Sequence, residues 1–248
     1  MPDHAPTSVL DLFRSVADEV AAAVAAQVDW GESGVRDGQY AVDLVADDVV
    51  VGRLLSAGLA VLSEESGLQG PGDAPVVVVD PIDGSTNASR RIPWFATALC
   101  LVDDTGPLVG LVRNHGTGHE FTAVRGEGSR CGDRRLQVGS PVPLHDAIVG
   151  VSGLPSAHLG WRQFRALGAA APDICAVADG TLDAWSDMSV DAHGVWDYLA
   201  AVLVLTEAGG VAADVHGRDL VTLDHAARRT PVVASSEPLL DELLAARR

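Results

Sequence analysis

The sequence predicts an α/β fold, α+β in the order of its elements and built as a layered sandwich. Three observations lead there. Val76-Val77-Val78-Val79 is an apolar run ended at once by Asp80-Pro81, as expected of a strand covered on both faces. Short strand-like runs between residues 95 and 124 are split by turn-rich links, which reads as an antiparallel meander. Beyond a composition shift at Ser140-Pro141-Val142-Pro143, helical and strand patterns alternate to the end of the chain.

Taken in order, residues 9–27 have alanine-rich helical periodicity, with Thr7 or Ser8 as N-cap and Asp11 in the first turn. A second helix is expected over 47–57, followed by a short strand at 60–63 that ends in Glu64-Glu65. Strands follow at 76–80, 95–102, 108–112 and 120–124, then a Gly- and Arg-rich hairpin at 125–135 and a strand near Leu136. Gly126-Glu127-Gly128 lacks the following helix and basic residue of a phosphate loop. The boundary near 140 divides the chain into residues 1–140 and 141–248. The second half starts with a strand at 147–151. Helices near 161–167 and 172–178, a strand at 182–185 and a long helix from Trp196 to Glu207 come next, with Gly209 as C-cap. A strand at 232–234 and a helix at 238–246 close the fold.

The chemistry concentrates where the valine run stops. Residues 80–87 read DPIDGSTN, so Asp80 and Asp83 emerge on a turn at the carboxyl end of a buried strand, where open sheets carry ligands. Like charges left unpaired there raise one another's pKa, whereas a hard cation such as Mg²⁺ favours an oxygen-rich site. Gly84-Ser85-Thr86-Asn87 adds free N–H groups and hydroxyls suited to phosphate. Two further acidic stations lie at the edges of apolar elements, Glu64-Glu65 upstream and Asp197 downstream.

SEES at 63–66, DPIDGSTN at 80–87 and WDYLAAVLVLTEAGG at 196–210 together resemble the inositol monophosphatase family, in order and over most of the chain. The resemblance implies an αβαβα arrangement of the inositol monophosphatase/fructose-1,6-bisphosphatase type. It also implies a Mg²⁺-dependent phosphomonoesterase acting on a small phosphorylated polyol or sugar, and a homodimer. Glu64, Asp80, the carbonyl of Ile82, Asp83 and Asp197 match its positions for two or three Mg²⁺ ions, and Gly84, Ser85 and Thr86 its phosphate turn. Glu64 and Ser85 would orient the metal-activated water. The catalytic set further includes Asp48, slightly preferred to Asp47 near a third metal, because the spacing after Val42-Asp43-Leu44-Val45 is one residue short of the family's. On the substrate side the resemblance implies Asp83, Gly84, Ser85, Thr86, Gly168, Ala170, Asp197 and either Asp187 or Asp191, since the stretch from Asp187 to Asp197 is three residues longer than the family's usual spacing. Histidinol phosphate, fructose 1,6-bisphosphate and 3′-phosphoadenosine 5′-phosphate are the alternative substrates. A non-catalytic metal-binding paralogue is disfavoured because no matched acid is missing. An aspartyl-phosphate mechanism is disfavoured because its acids stand two apart, not three.

Composition bounds the remaining choices. With 248 residues, 47% of them hydrophobic, the chain can bury a large core. Its 34 acids face 17 basic residues, all arginine, and the net charge of −17 argues against nucleic-acid or membrane-surface partners, both anionic. Cys100, Cys131 and Cys175 have neither zinc nor disulfide spacing. Acids interrupt the N-terminal apolar residues and no run reaches the roughly 20 residues that span a bilayer, so the expectation is a cytoplasmic protein. His193 and Trp94 are expected to be a polar loop residue and a core aromatic.

Overall fold

The computed structural model describes residues 5–27, 30–35 and 39–247. Helices α1 (Pro6–Ala26) and α2 (Ala41–Ser56) cover one face of an eight-stranded sheet. Its strands are β1 (Ala60–Ser63), β2 (Gly67–Gln69), β3 (Val76–Asp83), β4 (Ala96–Asp103), β5 (Gly106–Asn114), β6 (Glu120–Val124), β7 (Gly128–Cys131) and β8 (Arg134–Arg135), in spatial order β2-β1-β3-β4-β5-β6-β7-β8. The short helix α3 (Ser85–Ser89) follows β3. A second, five-stranded sheet has the order β10-β9-β11-β13-β12, from β9 (Ile148–Ser152), β10 (Gln163–Arg165), β11 (Ala184–Asp187), β12 (Val211–Asp214) and β13 (Pro231–Ala234). Helices α4 (Ala170–Ala178) and α5 (Leu199–Glu207) lie between the sheets, and α6 (Glu237–Ala246) covers the outer face of the second.

Strand periodicity explains the layering. On β4, Ala98, Cys100 and Val102 face the α4/α5 core while Leu99 and Leu101 face α1 and α2; on β3, Val78 faces one core and Val77 and Val79 the other. Helix α5 is apolar all round because it has a sheet on either side. It packs so closely that a Cβ at Gly110 would come 3.1 Å from the Ala200 carbonyl.

Several sequence expectations change. Helix α1 begins at Pro6, with Thr7 and Ser8 inside it, no side-chain cap and no acid in its first turn. Helix α2 starts at Ala41, six residues early, because the Asp43 carboxylate accepts the Tyr40 N–H and caps the helix there. The helix expected near 161–167 is instead the edge strand β10, where the exposed backbone of β9 supplies parallel partners and Trp161 packs into the outer core. The helix expected from Trp196 is broken: a 3₁₀ turn over Val195–Asp197 precedes α5, and Tyr198 (φ −134°) separates them. Gly209 does end α5, at φ +93°, with its N–H on Thr206 and that of Gly210 on Leu205. Cys100 and Cys175 are core residues. Among the described residues no helix is long and apolar enough to cross a membrane.

Candidate active site

Parallel pairing of β1 with β3 sets Ser63 beside Val79, so Glu64 and Asp80 leave neighbouring strands at the same level. Beyond Asp80 the β3–β4 register slips, and this irregularity accommodates Pro81. The bulge is pinned from β4: the Thr97 hydroxyl donates to the Pro81 carbonyl at 2.8 Å and lies 2.8 Å from Nε2 of His115. Burial drives His115 down to about 4, so this imidazole is neutral at physiological pH.

Gly84 then turns the chain at φ +88°, a left-handed conformation that admits glycine without strain. A Cβ there would also lie 2.9 Å from that of Ala169. Asn87 locks the turn to the second half of the chain, donating to the carbonyls of Trp94 and Leu167, each at 2.8 Å. From the other side the Tyr40 hydroxyl lies 3.3 Å from Oγ1 of Thr86.

Glu64, Asp80, Ile82, Asp83, Gly84, Ser85, Thr86, Gly168 and Asp197 line one open cleft of about 200 Å³. One carboxylate oxygen each from Glu64, Asp80 and Asp197 lies within 4.8 Å of the others. Asp80 is buried, and its Oδ1 has no hydrogen-bond partner among the described residues. Burial and the charges of Glu64, Asp83, Asp197 and Asp43 push Asp80 well above the carboxylate range. Asp83 rises to about 7 through burial and Asp197, even though its Oδ2 accepts the Ala171 N–H at 2.6 Å. Asp197 is raised by burial against the opposing influence of His193, the Gly194 N–H and Arg228. An orphaned buried oxygen among converging carboxylates is what a hard divalent cation would satisfy, and an all-oxygen donor set suits Mg²⁺ better than a softer metal.

Four expected residues stand elsewhere. Asp48 is exposed on α2, while Asp47 is buried and accepts the Ser63 hydroxyl; the acid of this helix that bears on Asp80 is Asp43, one turn before Asp47. Ala170 is buried and does not line the cleft, while the N–H of the next residue, Ala171, serves Asp83. Asp187 is fully buried with its Oδ2 3.0 Å from Nδ1 of His193, and Asp191 is an exposed partner of Arg218 at 2.6 Å. Neither is among the residues that line the cleft, Asp187 being fully buried and Asp191 paired with Arg218.

Further residues frame the site without a sequence motif of their own. Asp43 lies inside the VDLV stretch, where nothing in the local pattern marks its acid as one that bears on Asp80. His225 approaches the Glu64 carbonyl with Nε2 at 3.1 Å and stacks on Trp196, over which Arg228 also sits at 5.0 Å. Asp173 accepts both indole N–H groups, from Trp94 at 2.6 Å and from Trp185 at 3.0 Å. Nothing local in the sequence signals these contacts, which depend on distant segments meeting.

The inositol monophosphatase family model matches residues 11–248. The chain belongs to the inositol monophosphatase family. Membership makes it a phosphoric monoester hydrolase of the layered fold described above. The fructose-1,6-bisphosphatase/inositol-1-monophosphatase of Thermococcus kodakarensis is 34% identical over 211 residues, covering 83% of this chain and 81% of that one. The inositol-1-monophosphatase of Mesorhizobium japonicum is 32% identical over 225 residues, 82% of this chain and 80% of that one. A solved inositol monophosphatase-fructose 1,6 bisphosphatase superposes with a TM-score of 0.84 at 26% identity, over 95% of this chain and 98% of that one.

Proposed function

We propose that the protein hydrolyses a small phosphorylated polyol or sugar, inositol monophosphate foremost, with Mg²⁺ as its metal. The observation that carries this is the partnerless Oδ1 of Asp80, buried beside Glu64 and Asp197 and next to a turn rich in N–H groups. Glu64, Asp80, Asp83, Asp197 and the Ile82 carbonyl would hold two or three ions, with Asp43 replacing Asp48 as the acid nearest a third. Bound Mg²⁺ supplies positive charge to the phosphoryl oxygens and lowers the pKa of a water that serves as nucleophile.

The chain's own groups do the rest. Backbone N–H groups of Gly84, Ser85 and Thr86 receive the phosphate and fix its orientation. Glu64 and the Ser85 hydroxyl orient the attacking water in line with the ester, and Glu64 accepts its proton. The bond from phosphorus to the ester oxygen breaks as the new bond to the water oxygen forms, and the departing oxygen, on the side of Asp197 and Gly168, takes up a proton from solvent in the open cleft. Two relatives are named for both inositol 1-phosphate and fructose 1,6-bisphosphate chemistry or for the former alone, so these esters rank first. We also assign residues 1–140 to the half that supplies most metal ligands and residues 141–248 to the half that supplies Asp197, and we expect a cytoplasmic homodimer, checked by fractionation and by light scattering.

Phosphate release, with Mg²⁺ and with EDTA, is to be measured on inositol 1-phosphate, fructose 1,6-bisphosphate, histidinol phosphate, 3′-phosphoadenosine 5′-phosphate and p-nitrophenyl phosphate. Mg²⁺-dependent release, fastest from a polyol or sugar ester, is the expected result. Absence of metal-dependent release from every ester would overturn the reading.

A further inference from the structure

The segment 224–229, between β12 and β13, belongs to the second half of the chain and reaches the first. Its end is tied down where Arg229 pairs with His193 in both directions, the Arg229 N–H on the His193 carbonyl at 2.8 Å and the His193 N–H on that of Arg229 at 3.2 Å. His193 leads through Gly194 into the 3₁₀ turn that carries Asp197, so the segment and the Asp197 station are one piece. The turn at Asp224 closes on itself. Its carboxylate accepts the Ala226 N–H at 2.9 Å and its carbonyl the Ala227 N–H at 3.0 Å, while Arg228 folds back to donate to the carbonyls of His225 at 2.8 Å and Ala227 at 3.0 Å.

From this turn the His225 side chain crosses to a residue 161 positions away in sequence. Its Nε2 lies 3.1 Å from the Glu64 carbonyl, and because a carbonyl oxygen only accepts, Nε2 is the donor. The Glu64 N–H is already on the Val79 carbonyl at 3.1 Å, so the backbone of this acid is held by β3 on one side and by His225 on the other. The imidazole face lies against Trp196, centroids 4.7 Å apart and planes at 31°, and Trp196 is buried next to Asp197. One half-buried ring thus touches the backbone of one acidic station and the neighbour of another.

We infer that His225 is a positioning residue for the metal site, holding the Glu64 and Asp197 stations at a fixed separation before a cation arrives. The inference rests on the phosphatase reading above, whose metal ligands it concerns. Carboxylate oxygens of Glu64, Asp80 and Asp197 lie within 4.8 Å of one another, and without a cation their charges repel. Asp80 is fixed within β3, where it pairs with Ala98 of β4. Glu64 opens the turn after β1 and Asp197 ends a single 3₁₀ turn, so the repulsion bears on these two. A link between them keeps the geometry that binding would otherwise have to impose, which raises affinity without adding a ligand.

The test is calorimetric titration of Mg²⁺ into EDTA-stripped wild type, His225→Ala, His225→Phe and His225→Gln, with the Mg²⁺ concentration for half-maximal release from p-nitrophenyl phosphate read alongside. Phenylalanine keeps a ring against Trp196 but cannot donate, whereas glutamine lacks the ring and can still donate to the carbonyl. His225→Ala and His225→Phe should each weaken Mg²⁺ binding by about tenfold, the scale of losing a partner that orients a metal ligand. The half-maximal concentration should rise in parallel while kcat at saturating Mg²⁺ stays near wild type, and His225→Gln should restore most of the affinity. A merely structural contact would instead lower the melting temperature and leave the Mg²⁺ affinity of the folded protein unchanged. Unchanged affinity in His225→Ala and His225→Phe, in proteins whose circular dichroism matches wild type, overturns the inference and leaves the phosphatase reading intact. Binding by His225→Gln as weak as that of His225→Phe also overturns it, and if His225→Ala fails to fold, His225→Phe decides alone. A wild type that binds Mg²⁺ but releases phosphate from no ester overturns the phosphatase reading and leaves the titration to decide the role of His225; one that binds no Mg²⁺ overturns both.

Discussion

Two groups of buried acids in this molecule are treated in opposite ways. Asp214, 3% exposed, accepts Nε and Nη2 of Arg218 at 2.9 and 2.8 Å and the N–H groups of His216 and Thr230 at 2.9 Å each. Burial would raise its pKa, but these donors hold it far below the usual carboxylate range. Asp80 is as deeply buried, yet among the described residues no arginine pairs with it, its Oδ1 has no hydrogen-bond partner, and the neighbours that bear on it are acids. A buried charge left uncompensated costs several kcal/mol, so the chain that pairs Asp214 fully keeps Asp80, Asp83 and Asp197 short of positive charge at a cost in stability. Such a cost is typical of functional sites, and here the missing partner is a cation from solution.

The contrast is sharpened most by Asp80→Asn. Removing a metal-holding charge should lower kcat/KM by about 10³-fold, the rate equivalent of several kcal/mol. The metal-free variant should melt at or above the wild-type temperature, because a repulsive buried charge is gone; a lower melting temperature would break the comparison. Asp214→Ala should do the reverse. It leaves Arg218 without its main partner and should cost about 3–5 kcal/mol in urea unfolding, with kcat/KM near wild type once folded.

Acidity offers a third test. A carboxyl whose folded pKa is raised stabilises the protein while it is protonated, so the Asp83 contribution is present below its ordinary value near 4 and is lost as pH rises through about 7. Metal-free protein should therefore lose thermal stability across that window, and Mg²⁺ should restore more of it at pH 8 than at pH 5. A stabilisation by Mg²⁺ that is equal at both values would contradict the assignment. The smallest effect separates two helix acids: exposed Asp48→Asn should change stability by less than about 0.5 kcal/mol and leave kcat unchanged, whereas Asp43→Asn should raise the Mg²⁺ concentration needed for half-maximal rate.

How much of this was legible in the sequence follows from how local each signal is. The valine run, the Pro81 stop and the glycine at 84 act within a few residues, so β3, the turn and its acids could be read directly. The three-station pattern Glu64, Asp80/Asp83, Asp197 was legible because each station lies at the edge of an apolar element. What failed depended on partners distant in the chain. Residues 161–167 look helical alone but lie beside the open edge of β9, which makes them a strand. Asp48 and Asp43 differ only in which side of α2 they occupy, and that was decided by where Asp43 capped the helix. Asp187 reads as an available carboxylate, yet the fold buries it completely and sets the His193 ring 3.0 Å from its Oδ2.

The most direct test of the central claim is calorimetric titration of Mg²⁺ into the EDTA-stripped wild type and Asp80→Asn at pH 8. Saturable binding by the wild type, lost or severely weakened in the variant, is the predicted result. Wild-type binding that Asp80→Asn leaves unaltered would show that the partnerless carboxylate is not where the cation goes.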